Sequence, residues 1–152
     1  PIFLHNDILH LFFNMIWLLV LGFQIEARMK PWKYILFIVI IAATSNTAQY
    51  LMTGPNFIGF SGVVCGMVTY IRARQKIAPW EGYQMSSTTF AFICFFIGIL
   101  AVLSLATFLL DVFENVSFLI GIANTAHLVG ASIGYILGRI SFFSRQINSL
   151  SG

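Results

Sequence analysis

Apolar residues arrive in long uncharged runs, separated by short polar or charged groups. The first run is Ile8 to Ile25, interrupted by His10 and Asn14 and closed by Glu26-Ala27-Arg28-Met29-Lys30-Pro31. The second, Trp32 to Met52, has Lys33 at its mouth and Thr44-Ser45-Asn46-Thr47 within it. Thr53-Gly54-Pro55-Asn56 then forms a loop whose Gly-Pro pair stops that run. A third run goes from Ser61 to about Ile71, closed by Arg72, Arg74 and Lys76. The polar stretch Pro79 to Thr89 leads to a fourth, Phe90 to Leu110. Asp111 and Glu114 mark a turn before the fifth, from about Val116 to Leu137, which Arg139 and Arg145 follow. Runs of this kind predict membrane-spanning helices, for which about 20 apolar residues are needed. The third is too short for that. It predicts a helix that starts below the membrane surface, where irregular backbone is tolerated only beside protein or a wet cavity, so Ser61 should open into a cavity.

Composition narrows the class. Hydrophobic residues make up 59% of the chain and charged ones 9%, against about 25% charged in a soluble domain. Residues 1–152 therefore read as one all-α domain, a polytopic transmembrane helical bundle with five spans present. No basic run with aromatic interleaving exists, so the net charge of +3 is no nucleic-acid footprint. Cys65 and Cys94 both fall in apolar runs with no partner spacing for a disulfide or a metal, and read as small hydrophobes. Arg28, Lys30, Lys33, Arg72, Arg74, Lys76, Arg139 and Arg145 all fall after the first, third or fifth run; the opposite connections carry Asp7, Asp111 and Glu114. The positive-inside rule then puts the carboxyl end in the cytoplasm and the amino end, with the mouth of the Ser61 helix, on the other side. A chain that starts at Pro1 on the outer side, without a signal peptide, reads as amino-terminally truncated, with an upstream span missing.

The few polar groups inside the spans carry the candidate chemistry. His10 and Asn14 lie one turn apart on one face of the first span. His127 falls about eleven residues into the last span, near half depth at ~1.5 Å per residue. Gly62 and Gly66 make a small-xxx-small pattern beside Ser61, and Gly130, Gly134 and Gly138 continue the stripe of His127. Each feature alone reads as packing or as an interhelical hydrogen bond. Together, at compatible depth, they predict a Ser61–His127 dyad for nucleophilic acyl transfer. Neutral His127 takes the Ser61 proton as the hydroxyl attacks a peptide carbonyl. The Asn14 amide, the His10 ring N–H and the Ser61 backbone N–H are the available oxyanion donors. No Asp or Glu lies inside a span to serve as a third triad member.

These residues together resemble the rhomboid family of intramembrane serine proteases. The likeness rests on Leu9-His10-Leu11-Phe12-Phe13-Asn14, on Gly59-Phe60-Ser61-Gly62, and on Ala126-His127-Leu128-Val129-Gly130 continuing to Gly134. Their order and separation match the family's second, fourth and sixth helices. The resemblance implies a catalytic dyad of Ser61 and His127, and oxyanion stabilisation by His10, Asn14 and the Ser61 amide. It implies single-span transmembrane proteins as substrates, cut near the outer membrane face, and no cofactor or metal. The location implied is multi-pass in the bilayer, in the cell or inner membrane of a bacterium. Many members carry an aromatic residue four after the nucleophile, against which the catalytic His packs. Here that position is Cys65, so support for His127 is expected from elsewhere, with Asn124 and Trp17 the nearby candidates. A catalytically inactive rhomboid-like protein that binds transmembrane clients is the alternative, and such relatives typically lack the Ser or the His. A channel is disfavoured because the inner halves of the spans show no polar stripe.

Overall fold

A computed structural model of the chain describes residues 8–55, 59–114 and 124–144. It is built from five α-helices: α1 Ile8–Glu26, α2 Pro31–Thr53, α3 Ser61–Ile77, α4 Ser87–Glu114 and α5 Asn124–Arg139. Short 3-10 turns at Pro79–Glu81 and Ser141–Phe143 complete the described residues, which contain no strand. The boundaries follow local chemistry. Pro31 opens α2, where its missing N–H costs nothing. Gly54 closes it with a positive φ of 75°, its N–H donating to the Tyr50 carbonyl at 2.8 Å. Phe60 precedes α3, and its carbonyl accepts from the Val63 and Val64 N–H groups at 3.0 and 3.2 Å.

The charged ends of α3 and α4 differ from the sequence pattern. Helix α3 runs 17 residues, not to Ile71 but to Ile77, because Arg72, Arg74 and Lys76 continue it. Long cationic side chains have good helix propensity and favour a helix C-terminus, so charge alone does not stop a helix. Arg139 ends α5 in the same way, and Lys33 lies in the first turn of α2; the described basic residues sit largely within helix ends, not in connections. At the other pole Asp111 and Glu114 belong to the last turn of α4. The fifth helix begins at Asn124 among the described residues, and Val116 to Ala123 lie outside them, as do Asp7, Asn56 and Arg145.

Helix α3 is the axis of the bundle, with Val63, Met67, Tyr70 and Ile71 packed against Phe37 and Ile41 of α2 and Leu21 and Ile25 of α1. Helix α5 lies directly on it. A methyl group added at Gly130 would fall on the Gly62 carbonyl, and one at Gly134 on that of Gly66; one at Gly138 would come 3.0 Å from the Tyr70 carbonyl oxygen. The constant offset between partners means that α3 and α5 run parallel, backbone against backbone, as small-residue stripes permit. Thr69 Oγ1 ties the pair by donating to the Ala131 carbonyl at 2.6 Å.

The direction of the other helices follows from their contacts. Lys33 at the start of α2 donates to the Phe142 carbonyl beyond α5, while Gln49 near its end accepts from the Ala126 N–H, so α2 is antiparallel to α5. His10 and Asn14 lie beside Gly59, before α3, and Arg28 reaches the carbonyls of Glu81 and Gly82, after it; α1 is therefore parallel to α3. Helix α4 starts where α3 ends, with Gln75 donating to the Tyr83 and Met85 carbonyls and Arg72 stacked over Phe90. Every described cation thus gathers at one end of the bundle, and Ser61 and His127 lie at the other.

A Cβ on Gly62 would be 3.1 Å from Ser45 Oγ, so Ser45 is level with the start of α3. Helix α2 continues eight residues farther, to Thr53, which at ~1.5 Å per residue is about 12 Å. Ser61 is recessed by that much below the end of α2, although α3 itself is longer than the apolar run implied.

Candidate active site

Ser61 is the first residue of α3, and its Oγ is 2.7 Å from His127 Nε2. His127 is 6% exposed and lies on α5. The start expected for that span, near Val116, lies outside the described residues. The pairing of Gly62 with Gly130 puts His127 level with Ser61, and depth comes from the recess below α2. Gly62 and Gly130 make the approach possible, since each lies against the other helix's backbone. A serine side chain is only two atoms long, so it bonds to an imidazole on another helix only where backbones pack this closely.

His10 and Asn14 complete the cluster from α1. Gly59 has φ of +119°, a region that side chains other than hydrogen rarely adopt. A Cβ there would also lie 2.7 Å from His10 Cε1, 2.9 Å from His10 Nε2 and 3.8 Å from Asn14 Nδ2. Gly59 is therefore required twice, by its backbone and by the His10 ring against it. Asn14 is 5% exposed and its buried Nδ2 has no hydrogen-bond partner, a donor held ready at the site. The Ser61 and Gly62 N–H groups at the start of α3 have no intrahelical acceptors and lie at the positive end of the helix dipole. Ser61, His127, His10, Asn14 and Gly59 thus converge, as do the packing positions Gly62 and Gly130. Such a set can deprotonate a hydroxyl and surround a developing negative charge with donors.

The expected support for His127 is not made by direct hydrogen bonding. Neither Asn124 Oδ1 nor His127 Nδ1 has a hydrogen-bond partner, although both are buried. Trp17 packs against the hydrophobic core. Cys65 is buried on α3 one turn beyond Ser61. Among the described residues no group of three or more His, Cys, Asp or Glu could hold a metal ion. Gln49 was overlooked by sequence reasoning. Only 3% exposed, it accepts the Ala126 N–H at 2.9 Å and so caps the helix one residue before His127. A glutamine inside an apolar run was the available signal.

A bundle whose central helix opens on a recessed serine, bonded to a histidine of a parallel glycine-striped neighbour, is the architecture of a rhomboid. The chain belongs to the rhomboid family: the Rhomboid domain matches residues 1–144. It is 33% identical over 135 residues to the protein named Rhomboid protease GlpG of Yersinia pestis, and to that of Yersinia pseudotuberculosis. The protein of the same name from Yersinia enterocolitica is 32% identical over 135 residues. Each alignment covers 89% of this chain and 44% of the relative, so the chain spans less than half the length of these curated relatives. Rhomboids are membrane-embedded, and Pro31–Met52 is long and apolar enough to cross a bilayer. Large side chains such as Leu19, Phe23, Leu51 and Phe95 are exposed around the bundle, as lipid contact requires.

Proposed function

We propose that this chain carries the active site of an intramembrane serine endopeptidase working through a Ser61–His127 dyad. The observation that carries the reading is the 2.7 Å contact between Ser61 Oγ and His127 Nε2, in a cluster with two further polar side chains from α1. Ser61 Oγ attacks the scissile carbonyl carbon while its proton passes to Nε2. The carbonyl electrons move to oxygen, and the oxyanion is met by Asn14 Nδ2, the His10 ring and the Ser61 N–H. Collapse breaks the C–N bond, and the departing amine takes the proton from Nε2. Water then attacks the acyl ester, giving its proton to Nε2, and the acid leaves as Ser61 is restored.

The charge pattern supports a substrate class. With the cationic end in the cytoplasm, the site opens toward the opposite face, recessed by about 12 Å. Peptide bonds reach it from single-span transmembrane proteins whose helix is locally unwound, since a helical peptide bond is shielded by its own hydrogen bonds. The curated relatives' names, rhomboid proteases, support the same chemistry. The full-length protein in proteoliposomes is expected to cleave a model single-span substrate, and Ser61→Ala to abolish cleavage. Cleavage at an undiminished rate by Ser61→Ala would exclude the assignment. A fluorophosphonate probe gives a second measure: labelling of wild type and none of His127→Ala supports the dyad, whereas an inert client-binding protein would take no label.

A further inference from the structure

Two buried atoms on α5 have matching defects. His127 Nδ1 and Asn124 Oδ1 both lack a hydrogen-bond partner. They are three residues apart on one helix, which places their side chains on adjoining positions of one face. The contact at the other ring nitrogen dictates what Nδ1 must be. If Nε2 is to accept the Ser61 proton, Nδ1 carries the ring hydrogen and is a donor. The opposite tautomer puts a hydrogen on Nε2, reverses the Ser61 bond and leaves no base. Which form prevails is set by the partner of Nδ1.

A buried N–H without an acceptor favours that wrong tautomer, because a group left unpaired in a protein interior costs free energy. Asn124 Oδ1 is an acceptor with the same need. The two do not bond directly, and buried polar atoms arranged so are characteristically joined by an ordered water. Cys65 is too small to stack on an imidazole from α3, so a tether at Nδ1 would supply orientation that ring stacking does not. We propose that Asn124 is a positioning residue, whose Oδ1 accepts the His127 Nδ1–H through one ordered water and holds Nε2 toward Ser61 as the base. The proposal rests on the dyad reading and adds to it the group that selects the tautomer.

The test uses the full-length protein with Asn124→Leu, similar in size but without an acceptor, and Asn124→Asp, which keeps one. In 15N-histidine NMR the His127 signals are those missing from His127→Gln. Wild type is expected to show Nδ1 protonated and Nε2 bare, Asn124→Leu a mixture of tautomers, and Asn124→Asp a return to one. Fluorophosphonate labelling of Ser61 is expected to slow at least about 10-fold in Asn124→Leu and to stay within about 3-fold of wild type in Asn124→Asp, with KM for a single-span substrate unchanged. A wild-type tautomer ratio in Asn124→Leu overturns the proposal, as does equal loss in the two variants. If wild type takes no label at Ser61, the dyad reading fails, and the tautomer spectrum still decides whether Asn124 holds the ring.

Discussion

Gly130→Ala tests whether close packing of α3 and α5 is what assembles the dyad. The added Cβ would lie 2.8 Å from the Gly62 carbonyl carbon and 3.2 Å from its Cα, and closer still to the carbonyl oxygen. Carbon atoms at optimal contact are about 3.5–4.0 Å apart, so the helices must separate by about 1 Å. Neither atom that the methyl meets belongs to a flexible side chain. Overpacking of this kind costs about 1–3 kcal/mol of stability. Its effect on chemistry should be larger. The Ser61–His127 distance is 2.7 Å, and a displacement of 1 Å would carry it beyond the ~3.2 Å limit of hydrogen-bond reach. Misplacement on that scale costs about 10²-fold in rate. Fluorophosphonate labelling of Ser61 and thermal unfolding in detergent measure the two effects separately. Gly98→Ala is the control, because a Cβ at Gly98 on α4 meets nothing within 4 Å. Wild-type labelling and stability in Gly130→Ala would refute the reasoning.

Two further substitutions probe the ends of the bundle. Gly59→Ala should reduce labelling at least about 10-fold, since its φ of +119° is strained for alanine and the methyl would displace the His10 ring; unchanged labelling would show that His10 is not held where the chemistry needs it. Arg74→Met should destabilise by about 3–5 kcal/mol, because it leaves buried Glu81 without its guanidinium partner. The double variant Arg74→Met/Glu81→Leu should recover most of that in chemical denaturation, and a double variant no better than the single would argue against a paired role.

The helices were legible because long uncharged apolar runs announce helices, and α1 and α2 follow those runs closely. Charge does not end a helix here: α3 continues through Arg72, Arg74 and Lys76, since a cation at a helix C-terminus is favourable and Arg74 there is buried against Glu81. The candidate site was legible because glycines, a serine and histidines are rare polar or small positions within apolar runs, and their spacing on a helix shows which face they share. What it could not show was register between helices. Counting along one span gives His127 a depth but no partner, and the pairing of Gly62 with Gly130 puts it level with Ser61. Gln49 escaped notice for a related reason, as its partner, the Ala126 N–H, is a backbone group that no side-chain pattern reveals.

The two ends of the bundle are mechanically connected, which on the proposed dyad gives the polar network far from the serine a part in the chemistry. At the cationic end Arg74 joins Glu81 and also donates to the Gly138 carbonyl at 3.1 Å, tying α3 to the last turn of α5. Arg28 fastens the end of α1 to the 3-10 turn after α3 through the Glu81 and Gly82 carbonyls at 2.9 and 2.6 Å. Tyr70 donates to the Phe143 carbonyl at 2.5 Å and meets the Tyr83 hydroxyl at 3.2 Å; burial pushes the Tyr83 phenol up to about 12, so it stays protonated at neutral pH. These contacts fix how far α1 and α5 slide along α3. Because helices are stiff and the glycine stripes interlock, sliding at one end is sliding at the other. A slip of one residue, about 1.5 Å, would carry His127 out of reach of Ser61. The interlocked stripes alone leave neighbouring registers related by small-residue spacing, and the directional bonds of Arg74 and Arg28 distinguish among them. On this argument Arg74→Met should slow Ser61 labelling even at temperatures where the protein stays folded.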